Sequence, residues 1–60
     1  MFYVLNFIDK EFYTCHTVEE VKSKIKELFY DGVYEEAIEI VNAFDDEIRY
    51  STDEFNECFG

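Results

Sequence analysis

The sequence predicts an α+β fold: a small antiparallel β-hairpin followed by two helices, a short third strand and a terminal helical turn, in one domain over residues 1–60. Three observations predict it. The chain opens on an aromatic and β-branched run, continues into a capped segment with helical spacing, and carries a second capping motif near its end. Runs of the first kind favour strands, and recurrence at three and four residues favours helix.

Residues 2–8 give the first strand. Phe2, Val4 and Ile8 alternate with Tyr3, Leu5 and Phe7, so both faces are largely apolar. A strand of that kind is expected to be covered on both sides. Asp9-Lys10-Glu11 reads as a tight turn, and Phe12 to His16 return as the second strand. Thr17-Val18-Glu19-Glu20 then fits a capping box, with the Thr17 hydroxyl accepting from a backbone N–H of the first turn and Glu20 reaching back. Val18, Val21, Ile25, Leu28 and Phe29 follow at helical spacing, and Gly32 supplies the left-handed residue that stops the helix.

Residues 34–44 read in two ways. As a helix, Tyr34, Ala37, Ile38 and Val41 make an apolar face and Glu35, Glu39 and Asn42 a polar one. As a strand, Ile38, Ile40 and Phe44 alternate with Glu39, Val41 and Ala43. The helical reading is preferred, since Gly32-Val33-Tyr34-Glu35-Glu36-Ala37-Ile38-Glu39 resembles the turn and second helix of a helical-repeat hairpin. Beyond Asp45-Asp46, Ile48 and Tyr50 flank Arg49 in a short edge strand. Ser51-Thr52-Asp53-Glu54 repeats the capping logic and opens a last turn bearing Phe55 and Phe59.

Composition bounds the function. A chain of 60 residues with 48% hydrophobic and 20% aromatic residues is that of a folded domain, since disorder needs low hydrophobicity as well as high charge. No run of about 18 apolar residues is present, which excludes a spanning helix. The N-terminus lacks a basic region and a small-residue cleavage site, so the expectation is a cytoplasmic protein starting at Met1. Cys15 and Cys58 are too few for a disulfide framework and are expected to be reduced thiols.

Catalytic chemistry is sparse. His16 is the only histidine, and with Cys15 and Cys58 it falls short of the four ligands of a structural zinc site. Ser23 and Ser51 have neither a glycine-bounded elbow nor a base near in sequence, and the single internal glycine, Gly32, cannot build a phosphate loop. Asp45-Asp46-Glu47 lacks the alternating ligands and central glycine of a calcium loop. The expectation is therefore a protein that is not an enzyme and carries no metal or cofactor.

Charge and aromatic content point to binding. The net charge is -10. Residues 1–30 nearly balance, with five acids against four lysines, whereas residues 31–60 set ten acids against Arg49 alone. Such a half repels nucleic acid and anionic membranes and attracts basic surfaces. On a helical 34–44, Glu35, Glu39, Asn42 and Asp46 would form a stripe one turn apart, about 5.4 Å, close to the spacing of phosphates along a nucleic-acid strand. The candidate partner-binding residues are Glu35, Glu36, Glu39, Asp45, Asp46, Glu47, Asp53 and Glu54, with Tyr34 and Tyr50 as aromatic anchors. Twelve Phe and Tyr exceed what one small core encloses. The exposed ones are expected among Tyr3, Tyr13, Tyr30, Tyr34, Tyr50 and Phe59, as binding anchors or as a homodimer contact.

In size and acidity the chain resembles the small early proteins with which phages block host nucleases, glycosylases, restriction enzymes or CRISPR effectors. That resemblance implies an inhibitor of a basic nucleic-acid-binding protein that imitates nucleic-acid charge and does not itself bind nucleic acid. An interaction module or homodimeric regulator, with acidity serving solubility, is the alternative.

Overall fold

In the computed structural model, which describes residues 1–43 and 48–60, two strands open the chain: β1 (Phe2–Asn6) and β2 (Glu11–Cys15). Helix α1 (Val18–Tyr30) follows, then a 3-10 turn (Glu35–Ala37), β3 (Ile38–Asn42), β4 (Ile48–Tyr50) and helix α2 (Thr52–Phe59). The strands form one antiparallel sheet in the order β2-β1-β3-β4. The α+β class holds.

The turn between β1 and β2 is built on Asn6. Its buried side chain accepts from the N–H groups of Ile8 and Asp9 at 3.0 and 3.3 Å and donates to the Asp9 carboxylate at 3.1 Å. Lys10 then takes a left-handed conformation at φ 55°. The backbone of this turn also reaches the second half of the chain, because Phe7 N–H donates to the Ala37 carbonyl at 2.9 Å.

Both helix starts follow the sequence. Thr17 Oγ1 accepts from Glu20 N–H at 3.1 Å. The Glu20 carboxylate reaches one residue further back than expected, to the N–H of His16. At α2 the box is complete, Ser51 Oγ accepting from Glu54 N–H and Glu54 Oε1 from Ser51 N–H. Helix α1 stops as Gly32 adopts φ 93°. Gly32 N–H donates to Phe29 O and Val33 N–H to Leu28 O, the paired bonds of a Schellman motif, with Val33 and Leu28 both in the core.

Residues 34–44 correct the preferred helical reading. Only Glu35–Ala37 turn, as a single 3-10 turn, and Ile38–Asn42 form β3 in register with β1, Val4 opposite Ile40. Three β-branched residues in four, Ile38, Ile40 and Val41, favour the pleated surface, and pairing with a central strand that is apolar from Phe2 to Leu5 outweighs helical spacing. The likeness to a helical-repeat hairpin does not extend to the backbone. The acidic stripe expected of a helix there is not formed by Glu35, Glu39 and Asn42, which lie on a turn and a strand. Residue Phe44, the last of that segment, lies outside the described residues.

The predicted third strand is thus the fourth, and the terminal turn is an eight-residue helix. The chain consists of two successive strand–strand–helix units, and the sheet order is unchanged when the units are exchanged. Helix α1 packs on β1 and β2, and α2 on β3 and β4.

One core lies between the sheet and both helices. Phe2 and Val4 of β1 and Ile38 and Ile40 of β3 meet Val21, Ile25 and Leu28 of α1 and Phe55 of α2. Phe55, with no exposed surface, packs edge-on against Phe2 and Tyr50 at 5.7 and 5.9 Å, and Phe59 closes the cluster 4.7 Å from it. Lys22 Nζ donates to the Phe59 carbonyl, tying α1 to the end of α2. Both helices therefore cover the same face of the sheet. Contrary to the expectation for β1, neither covers the opposite face, which carries Tyr3, Leu5, Phe12, Val41, Glu39 and Arg49.

Candidate functional site

A groove of about 410 Å³ opens beside the β3–β4 edge of the sheet. Its walls come from two segments separated in sequence: Glu35 and Glu36 of the 3-10 turn running into Ile38 and Glu39 of β3, and Arg49, Tyr50, Ser51 and Glu54 from β4 and the start of α2. Four of the sequence-predicted acids thus share one concave surface. What brings them together is the β3–β4 pairing, with Tyr50 opposite Ile40 and Arg49 opposite Val41.

The four acids are not equivalent. Glu39 Oε1 accepts from Arg49 Nη1 at 2.9 Å, a pair open to solvent. Exposed pairs of this kind contribute about 0–1 kcal/mol, so the contact orients the two side chains more than it stabilises the fold. Glu54 closes the α2 capping box, and Asp53 beside it is exposed in the same first turn, where negative charge complements the helix dipole. Glu35 and Glu36 are exposed on a three-residue turn. They present charge outward from a fixed backbone, since Ala37 N–H donates to the Tyr34 carbonyl.

The two aromatic anchors separate. Tyr34 is exposed just ahead of the turn. Tyr50 is half-buried, its ring against Phe55 and Phe59, so it serves as part of the groove floor and of the core. Asp45, Asp46 and Glu47 lie outside the described residues.

The exposed aromatics also differ from those expected. Tyr30 and Tyr34 are exposed, whereas Tyr3, Tyr13, Tyr50 and Phe59 are half-buried. Phe7, Phe12 and Phe29 are exposed in their place. Strand parity explains Phe12: Tyr13 and Cys15 pair with Val4 and Phe2 on the helix side, which turns Phe12 to the open face opposite Leu5. Tyr13 instead donates to Glu11 at 2.9 Å beneath the Lys24 ammonium, and that bond raises the phenol above its ordinary range.

Cys15 and Cys58 are both free thiols, Cys15 buried and Cys58 exposed. Burial first, then the nearby Glu20 charge, pushes the Cys15 thiol up, partly opposed by Lys24. Among the described residues no group of His, Cys, Asp and Glu is arranged to hold a metal ion, and no helix is long and apolar enough to cross a membrane. The groove offers carboxylates, one guanidinium and a phenol edge, a set suited to ion pairing and hydrogen bonding with a cationic surface. No protein-family model, curated protein or solved structure matches the chain.

Proposed function

We propose that this chain is a small acidic binding protein, not an enzyme, that occupies the nucleic-acid site of a basic nucleic-acid-processing protein by charge mimicry. A CRISPR effector, restriction enzyme, nuclease or glycosylase in the cytoplasm is the class of target, the host's cytoplasm if the gene belongs to a phage. The observation that carries the reading is the gathering of Glu35, Glu36, Glu39 and Glu54 around one groove on a chain of net charge -10. Mimicry here works through a patch on a turn, a strand and a helix start, and not through a helical ladder of carboxylates. Target lysines and arginines would pair with Glu35, Glu36 and Asp53, while exposed Tyr34 supplies apolar contact at the rim.

The immobilised chain tests this by capture from lysate at low salt, followed by elution with a short DNA or RNA duplex. Captured proteins are expected to be nucleic-acid-binding, to be displaced by the duplex, and to be lost between about 50 and 500 mM salt as screening grows. A Glu35→Gln, Glu36→Gln, Asp53→Asn variant should capture at least tenfold less while keeping its circular dichroism. These three acids are chosen because Glu39 is already engaged by Arg49 and Glu54 closes the α2 capping box. Capture that resists salt, or survives the triple substitution in a folded protein, overturns the charge-led reading.

A further inference from the structure

The sheet face turned away from the helices has a character unlike the rest of the molecule. Tyr3 and Leu5 of β1, Phe12 and Thr14 of β2 and Val41 of β3 share it, as the strand registers require. Phe12 is 66% exposed, and its ring stands edge-on to Tyr3 at 6.3 Å. The strand residues with charge on this face are Glu39 and Arg49, and they neutralise each other at 2.9 Å. On a chain of net charge -10, this aromatic and aliphatic face thus carries no net charge among the described residues.

We infer that this face is a homodimer interface, on which a second copy of the chain packs sheet against sheet. Charge selects the occupant. A basic protein finds no unpaired carboxylate among these face residues to attract it, and nucleic acid finds no excess cation. A second copy brings an equally neutral apolar surface, and it can approach here without setting acid against acid at the contact.

Area sets the strength. Four strands about 4.8 Å apart, with about 3.3 Å per residue, give a face of roughly 19 by 17 Å. Two such faces, each about 320 Å² in outline, bury roughly 650 Å² before the relief of their side chains is added, below the standard size of specific interfaces. Aligned packing about 10 Å apart is the ordinary geometry for two such sheets. The result is a weak dimer that covers the Glu39 and Arg49 part of the groove wall and leaves Glu35, Glu36 and Glu54, which lie on the 3-10 turn and α2, outside the packed face. The inference stands independently of the proposed target.

Its test also has the opposite salt dependence. Sedimentation equilibrium of the full chain, with reductant to keep Cys58 from cross-linking, is run at about 10 µM to 1 mM protein in low and high salt. The mass should rise from 7.2 kDa towards twice that value, at lower protein concentration in high salt, because salt screens the repulsion between copies. Phe12→Ser should raise the dissociation constant at least tenfold with circular dichroism unchanged, because the side chain is exposed. Tyr30→Ser, at a 94% exposed aromatic outside the sheet, should leave it unchanged. A monomer throughout the range overturns the inference, as does a dimer that Tyr30→Ser weakens and Phe12→Ser does not. So does a face whose Phe12→Ser change abolishes capture of a basic protein while the chain stays monomeric.

Discussion

Replacing Asn6 by Ala should be among the most damaging single polar changes in the chain, although the residue lies in no part of the groove. Its side chain is 1% exposed and makes three hydrogen bonds, to Ile8 N–H, Asp9 N–H and the Asp9 carboxylate. Two neutral bonds at about 1 kcal/mol and one charge-assisted bond at about 1.5 kcal/mol give about 3.5 kcal/mol. Water can reach the exposed turn and recover part of this, leaving a loss of about 2–3 kcal/mol. A domain of this size holds about 3–5 kcal/mol in all. With a urea slope of about 1 kcal/mol per molar, the midpoint should fall by about 2 M or more in urea unfolding followed by circular dichroism. Asn6→Asp distinguishes the bonds. It keeps both acceptor contacts but sets a second carboxylate against Asp9, so relative to wild type it should be harmed less near pH 3, where a protonated carboxyl can donate, than at pH 7. A loss for Asn6→Ala below about 0.5 kcal/mol would refute the assignment, as would an Asn6→Asp defect that equals it at both pH values.

Other expectations follow from neighbouring features. Lys10→Gly should stabilise by about 1 kcal/mol in the same urea assay, since a left-handed backbone costs a non-glycine residue about 1–2 kcal/mol and glycine little. Phe55→Ala should cost about 3–5 kcal/mol and leave the chain largely unfolded at 25 °C, visible as loss of helical circular dichroism and one-dimensional NMR dispersion. A thiol reagent should modify one cysteine, Cys58, rapidly at neutral pH and the second only on unfolding. Because the folded Cys15 thiol titrates above its unfolded value, its contribution to stability is present below the ordinary thiol range and is lost as pH rises through and beyond it. Cys15→Ala should flatten that alkaline decline.

The parts of the fold that were legible in the sequence are those decided by neighbours in the chain. Thr17 with Glu20, Gly32, and Ser51 with Glu54 each act within four residues, and each performs its expected role within one residue. Segment 34–44 was ambiguous because Ala37, Ile38 and Val41 satisfy a helical face while Ile38 and Ile40 also satisfy alternation. Its partner, β1, lies some 36 residues away, and that pairing decided the outcome. The acids of the groove were legible as a set, since acidity is compositional. Their concave arrangement was not, because it depends on β3 meeting β4. The open apolar face was hidden for a related reason: the parity of Phe12 follows from hairpin register, which the Asn6 turn fixes without a familiar turn dipeptide.

The two strand–strand–helix units meet along one backbone seam, the β1–β3 ladder, reinforced by Phe2 against Phe55 and Phe59 and by Lys22 on the Phe59 carbonyl. Each helix rests mainly on its own hairpin, so the units are separable in principle as fragments that complement one another. A chain cut in the connection between Gly32 and Glu35 would leave a nearly neutral fragment and a strongly acidic one, and their reassembly would meet little mutual repulsion. The same seam makes the first unit a reusable chassis, on which the acidic half can be exchanged or redesigned without rewriting the half that sets the register.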